Sequence, residues 1–483
     1  MFNHEQDMMI NRIVKELKEE NFAIFAGAGL STSAGYVNWK ELLKPLSEEL
    51  NIDIEVETDL VSLAQYYVNE NNSNRSRLTE RIIDAIDISR IPTMNHQILA
   101  KLPISTYWTT NYDKLIEKSL EDEGKLPDVK FTKSHLSQTK KGRSAIIYKM
   151  HGDASLADEA IITKDQYESY PLKFAPFITA LSGDLVSKTF LFLGFSFTDP
   201  NLDYILSRIR VYFEQNQRQH YCIFKKINRN EYKTDKEFEY NNTKQGFVIK
   251  DLSRFGVKTV LVDSWEDLTL ILKEITKRFR CKNIFLSGSA HEFGAWEQAE
   301  TEIFLSKLGE ILIQDGFKIT SGLGLGIGNA FISGAIKEIY KKPYARVDEG
   351  LTMRAFPQFV EDFNERKQIW KAWREDMLGK SGIAIFFMGN KLVMNPESKL
   401  ESIQLADGMN EEFEIAHRLG IKLIPIGASG YKAKELFDKI VDNFEYYYPG
   451  ATNEFRLAFE KLGEEVDEPN KLLSKVIDVI NLI

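Results

Sequence analysis

Four short apolar runs in the first 201 residues each end in a polar motif whose side chains can do chemistry. Ile24-Phe25-Ala26 leads into Gly27-Ala28-Gly29-Leu30-Ser31, and Tyr107-Trp108-Thr109 leads into Thr110-Asn111-Tyr112-Asp113. Ile146-Ile147-Tyr148-Lys149-Met150 leads into His151-Gly152-Asp153, and Leu191-Phe192-Leu193 into Gly194-Phe195-Ser196-Phe197-Thr198-Asp199-Pro200-Asn201. A glycine pair allows a tight turn and lets backbone N–H groups approach a pyrophosphate. The amide of Asn111 can orient a ribose or a water molecule. The neutral imidazole of His151 can take a proton from a hydroxyl near neutral pH. Groups fixed in this way suit cleavage of a ribosyl bond to a pyridinium base, which builds oxocarbenium character on the sugar. The ordered set therefore reads as a nicotinamide-dinucleotide pocket, although taken singly Asn111 reads as a loop or cap asparagine and His151 equally as a structural histidine. Ala26, Gly27, Gly29, Ser31, Thr110, Asp113, Gly194, Ser196, Asp199 and Asn201 are its expected binding residues. Asp263, at the end of a later strand, is expected near the adenine ribose. Asp113 and Asp199 read equally well as helix caps, because Asp199-Pro200 is helix-start chemistry.

Those motifs converge only if the runs are neighbouring strands of an open parallel sheet, where ligands sit outside the carboxyl ends of the strands. Short apolar runs alternate with amphipathic stretches along the whole chain, which predicts an α/β protein with two Rossmann-like parallel-sheet domains. Tyr221–Lys225 and Lys258–Val262 close the first sheet, a charged helix runs from about Glu266 to Arg280, and a fresh strand begins at Ile284. The expected domains are 1–281 and 282–483. Asn228–Lys250 is expected to be an exposed helical or loop insertion, and Asn390–Leu405 a long surface loop.

The 483 residues are too many for one ordinary domain, and 43% hydrophobic with 28% charged residues is usual for a globular protein. A net charge of −9 argues against nucleic acid or an anionic membrane as the main partner. No apolar run approaches a bilayer span. Two cysteines, Cys222 and Cys281, cannot form a disulfide framework or a four-cysteine zinc site and fit a reducing cytoplasm.

A second crevice is expected in the C-terminal half. Ile284–Leu286 ends in Ser287-Gly288-Ser289-Ala290, and Phe317–Thr320 leads into Ser321-Gly322-Leu323-Gly324-Leu325-Gly326-Ile327-Gly328. Glycine at alternate positions exposes successive N–H groups to a phosphate-bearing ligand. Arg354 can fork onto a phosphate, Lys391 follows the strand Gly382–Met388, and Glu412 lies where Glu411–Glu414 opens a helix. Ser287, Gly288, Ser289, Gly322, Gly324, Gly326, Arg354, Lys391 and Glu412 are the residues expected to bind that ligand.

The first half resembles the sirtuin family, whose members carry a Gly-Ala-Gly-x-Ser turn, a Thr-x-Asn-x-Asp segment and a His-Gly at successive strand ends. Gly27–Ser31, Thr109–Asp113 and His151-Gly152 match in order. The resemblance implies that the turn holds the NAD pyrophosphate and that Asn111 and His151 lie near the nicotinamide ribose. The zinc module of sirtuin deacylases is absent, and Tyr36-Val37-Asn38-Trp39 stands where the family has Pro-Asp-Phe-Arg. Without that peptide groove, water is the expected acceptor and NAD the substrate, with neither metal nor cofactor. The second half resembles the SLOG superfamily, but Asp407–Glu414 lacks the glycines and threonine of its hydrolytic members, which points to a sensor. The pair of domains resembles the Thoeris antiphage effector family. That resemblance implies an NADase gated by a cyclic ADP-ribose isomer from a TIR-domain partner protein, assembled as a tetramer or larger. An NAD-dependent deacylase and a non-catalytic NAD or ADP-ribose sensor are the alternatives.

Overall fold

The computed structural model describes residues 2–86, 90–197, 199–343, 346–357, 360–394 and 400–483. It divides into two compact units, Met1–Thr276 and Lys277–Ile483. Among the described residues no helix is long and apolar enough to cross a membrane.

The first unit is built on β1 (Phe22–Ala26), β2 (Thr106–Thr109), β3 (Pro127–Lys130), β4 (Ala145–Lys149), β5 (Thr189–Leu193), β6 (His220–Lys225) and β7 (Val257–Val262). They form one seven-stranded parallel sheet in the order β3-β4-β2-β1-β5-β6-β7. Helices cover both faces, so β1 and β5 are buried at every position and apolar at all but Thr189. Phe25, Trp108, Phe190 and Phe192 fill the layer between the sheet and the helices Lys164–Lys173, Ala175–Ser187 and Pro200–Phe213. Strand order reverses between β1 and β5, and the crevice at such a switch point is where an open α/β sheet binds ligands.

At that point two turns press together. The φ of Gly194 is +63°, and a Cβ there would lie 2.2 Å from the Leu30 nitrogen; one on Gly27 would lie 2.4 Å from the Gly194 oxygen. Gly27 N–H donates to Leu193 O (2.8 Å) and Gly29 N–H to Gly194 O (2.9 Å). These two N–H groups extend the β1–β5 pairing, and the glycines allow the close backbone contact.

The second unit contains β8 (Asn283–Ser289), β9 (Lys318–Ser321), β10 (Leu351–Met353), β11 (Ile383–Met388), β12 (Asn390–Met394), β13 (Glu401–Leu405) and β14 (Lys422–Pro425). Five of these make a parallel sheet in the order β10-β9-β8-β11-β14. The expected surface loop over 390–405 is instead the antiparallel hairpin β12–β13, with Leu392 opposite Ile403. Its alternation of apolar and polar residues is short, which hid it among loop signals; residues 395–399 lie outside the described residues. The insertion after β6 is the helix Asp235–Arg254, in which Leu252 is the one buried residue.

Replacing Gly194 by alanine should lower the first thermal unfolding transition of the full-length chain. Positive φ and a backbone clash together cost about 1–3 kcal/mol or more. Calorimetry that finds the transition unmoved would show that the two turns can part freely.

Candidate active site

A cavity of about 780 Å³ opens over the carboxyl ends of β1, β2, β4 and β5. Gly29, Ser31, Thr110, Asn111, Asp113, His151, Gly194, Ser196, Asp199 and Asn201 all line it. Ala26 and Gly27 lie behind this lining, within the strand end and turn. Asp263 does not join them. It is exposed at the end of β7, on the edge of the sheet, three strands from β1. Thr198 lies outside the described residues.

Asn111 is held by the turn it follows. Its backbone N–H donates to Thr109 Oγ1 (3.0 Å), whose hydroxyl donates to Ala26 O (2.9 Å). Its Nδ2 donates to Gly27 O and to Ser31 Oγ, both at 3.1 Å. The amide orientation is thereby fixed, and Oδ1 is left as its acceptor for a ligand. Asp113 Oδ1 accepts the Leu115 N–H (3.0 Å), the first of the helix Leu115–Asp122, whose N-cap is Lys114, while the residue lines the cavity.

His151 is 1% exposed. Its Nε2 lies 3.1 Å from Asp199 Oδ2, and its Nδ1 lies 3.5 Å from the Tyr167 hydroxyl, which donates to the same carboxylate oxygen at 3.3 Å. Nε2 is close enough for an ion-pair contact but out of line for a hydrogen bond. Asp199 Oδ1 accepts from the N–H groups of Asn201 and Leu202, both at 3.0 Å, capping the helix Pro200–Phe213. Burial pushes the Asp199 carboxyl up, but His151, the Leu202 N–H and Tyr167 outweigh it and hold it below the usual range. Burial, with Asp199 nearby, pushes the Tyr167 phenol well up, so it stays protonated. Asn201 is 3% exposed, and its Nδ2 has no partner among the described residues, leaving a donor for whatever fills the cavity.

Sequence reasoning missed the residue that joins the turns carrying Asn111 and His151. Lys149 is fully buried, and its Nζ donates to Tyr112 O (3.1 Å), Asp113 O (2.6 Å), Glu117 Oε1 (3.1 Å) and Asp153 Oδ2 (2.5 Å). The first two follow Asn111, and the last lies two residues past His151. Burial alone would lower the Lys149 ammonium, but Glu117 and Asp153 raise it, so the charge persists. Burial likewise raises Asp153, but Lys149 and Ser155 bring it below its ordinary value; for Glu117 burial wins and the carboxyl is pushed up. A lysine inside the apolar run Ile146–Met150 was the available signal, because a strand buried on both faces needs a partner for any charge. Tyr167, Trp39 and Tyr204 give the cavity an aromatic wall, also unforeseen.

In the second unit Ser287 Oγ donates to Glu412 Oε2 (2.5 Å), joining the end of β8 to the helix Asp407–Arg418. Glu412 lies in the second turn of that helix, which opens at Asp407 rather than at Glu411 as expected. Burial pushes its carboxyl up against the opposing pull of Ser287 and Arg374. Arg374, not anticipated, is 5% exposed, lies over the rings of Phe356 and Trp370, pairs with Glu411 and has Nε 3.5 Å from Glu412 Oε1. Its Nε has no hydrogen-bond partner among the described residues. Arg354 and Lys391 do not meet this cluster; they pair with Asp376 and with Asp407 (3.1 Å). The glycine loop is wedged against the strand: a Cβ on Gly324 would lie 1.8 Å from Gly288 O, and one on Gly326 2.3 Å from Ala290 O. A Cβ on Gly322 would meet the Trp373 ring at 2.7 Å. Ser289 Oγ donates to Asn390 O (3.0 Å). Close packing against the strand accounts for glycine at these positions.

Two family models match the chain. Residues 105–245 match a SIR2-like domain, and residues 267–483 match the Sir2- and TIR-associating SLOG family. The chain is similar to a protein named NAD(+) hydrolase ThsA from Acinetobacter baumannii (strain 532279), 74% identical over 483 residues and the full length of both. A second protein of that name, from Bacillus cereus (strain MSX-D12), is 46% identical over 99% of this chain and 98% of its own length. A third, from Cytobacillus dafuensis, is 43% identical over 99% and 97%.

Replacing Lys149 by methionine should destabilise the first unit by about 3–5 kcal/mol, because it strands buried carboxylates. Chemical denaturation measures this. The pH dependence has a definite sign. Because the folded state depresses Asp153, its contribution is present above the ordinary carboxylate range and is lost as pH falls through its lowered value. The variant should lack that part of the acid limb.

Proposed function

The chain belongs to the family of NAD(+) hydrolases named ThsA, and on that premise we propose that it is an NAD+ glycohydrolase releasing nicotinamide and ADP-ribose. The observation that carries this reading is the convergence of Asn111 and His151, from the ends of two neighbouring strands, on one cavity of about 780 Å³. In the reaction the C–N bond to nicotinamide breaks, and its electron pair stays on the pyridine nitrogen. A water oxygen bonds to the anomeric carbon, and the proton that water sheds goes to His151. Asn111 Oδ1 orients the ribose or the water, with Nδ2 anchored on Gly27 and Ser31. Asn201 Nδ2 donates to the ribose or phosphates. The aromatic wall of Trp39, Tyr167 and Tyr204 excludes bulk water and strengthens each polar contact. No step requires a metal or a resident cofactor; NAD is substrate.

The second unit, in this reading, binds a cyclic ADP-ribose isomer made by a TIR-domain partner protein and releases the NADase in antiphage defence. The match to a Sir2- and TIR-associating SLOG family supports it. So does the Ser287–Glu412–Arg374 cluster, where a buried carboxyl and a guanidinium are poised for ribose hydroxyls and phosphate. Arg354 and Lys391 would have to leave Asp376 and Asp407 to join it. The protein is proposed to act in the cytoplasm as a tetramer or larger assembly.

Full-length protein incubated with NAD+ should release nicotinamide, faster when a cyclic ADP-ribose isomer is added. Asn111→Ala and His151→Ala should each lower kcat by about 10²-fold or more with the fold retained. Parent-like turnover in either variant removes that residue from the mechanism. Arg374→Ala should shift the activation curve about tenfold or more to higher signal concentration; an unshifted curve moves the signal site elsewhere.

A further inference from the structure

Asp199 stands in the cavity wall but spends both oxygens inside the protein. Oδ1 takes the N–H groups of Asn201 and Leu202, and Oδ2 faces His151 Nε2 and the Tyr167 hydroxyl. A carboxylate so engaged has little left for a ribose hydroxyl, and its charge would repel the substrate's phosphates. We propose that Asp199 is the positioning residue for His151, holding the proton on Nε2 so that Nδ1 is the atom that accepts a proton during turnover. The inference rests on the reading of His151 as the proton acceptor.

The carboxylate is fixed from two sides. The cap on the helix Pro200–Phe213 sets its plane, and the Tyr167 hydroxyl pins Oδ2 from the helix Lys164–Lys173. The imidazole is fixed in turn. It stands edge-on to the Tyr167 ring at 5.3 Å, and the peptide carbonyl of His151 accepts the Ile161 N–H at 2.8 Å. The other titratable groups near the pair are Tyr112, bonded to Ile161 O, Tyr170, bonded to Met150 O, and Lys149 with Asp153 on the strand end that carries His151. Burial holds both phenols protonated, and Lys149 neutralises Asp153. Asp199 is the carboxylate in contact with the imidazole, at 3.1 Å, while Asp113, Lys164 and Glu168 line the same cavity. A fixed carboxylate lowers the cost of forming imidazolium without taking the proton itself.

The helix cap makes the test sharp. Asparagine caps as well as aspartate does, so Asp199→Asn keeps Oδ1 on the Asn201 and Leu202 N–H groups. The amide NH₂ then takes the place of Oδ2 and points a donor at His151 Nε2, which must become an acceptor. The tautomer reverses, and the proton moves to Nδ1.

The full-length parent and Asp199→Asn are compared with ¹⁵N-histidine labelling, in which the ring nitrogen shifts distinguish the tautomers without any substrate. The parent should show the Nε2–H form and the variant the Nδ1–H form. Turnover of NAD+ should fall about 10²–10⁴-fold in kcat, with KM changed less than about threefold. Tyr167→Phe, which removes one anchor and no charge, should leave the Nε2–H form dominant. An unchanged tautomer in Asp199→Asn overturns the assignment. So does a KM increase with parent kcat, which would make Asp199 a substrate ligand. If the tautomer reverses but the parent does not cleave NAD+, the assignment of Asp199 stands and the proposed reaction falls.

Discussion

The active-site half depends on one buried ammonium. A turn that follows a β-strand is anchored at one end only, and the two proposed reacting side chains sit on turns from different strands. Lys149 removes that freedom by binding the two carbonyls that follow Asn111 and the carboxylate that follows His151. A charge with no exposure would be prohibitive without such company. Here two carbonyls and two carboxylates surround it, so the desolvation cost is offset by contacts that can be made in one geometry. Low dielectric then works in favour of order: displacing either turn would expose a charge to an apolar surrounding, which resists displacement more steeply than packing alone.

The second constraint is backbone proximity at the switch point. The turns after β1 and β5 touch through Gly27, Gly29 and Gly194 with no room for a Cβ. The same solution recurs in the C-terminal unit, where Gly324 presses on the carbonyl of Gly288. In both units glycine shortens the gap between neighbouring strand ends, so the polar groups beyond them converge. The side chains proposed to bind ligand lie further along: Asn111, Asn201 and His151 in one unit, Ser287, Glu412 and Arg374 in the other.

Strand ends were legible from sequence because a parallel strand buried on both faces reads as a continuous apolar run broken by a polar turn. Ile24–Ala26, Tyr107–Thr109, Ile146–Lys149 and Leu191–Leu193 all obey that rule. The reading failed where function depends on partners distant in sequence. The 37 residues separating Tyr112 from Lys149 conceal their contact, and Tyr167 carries no motif at all. Arg374 lies mid-helix, where an arginine is ordinarily a solvated surface residue, and only the tertiary fold stacks it on Phe356. The place of Asp263 was hidden for a related reason. Its strand end looks like the others, but strand order, which sequence does not display, sends β7 to the sheet edge.

The carboxylate shared between the helix Pro200–Phe213 and His151 has a mechanical consequence. That helix has 14 residues, a rod of about 21 Å at the standard rise, hinged at one end on Asp199. Its last turn carries Val211 and Tyr212 out on the surface, 75% and 76% exposed. A rod fixed by its cap cannot tilt without carrying the capping group with it. With Asp199 as the positioning residue for His151, a tilt of the outer helix would shift the carboxylate that faces the imidazole at 3.1 Å.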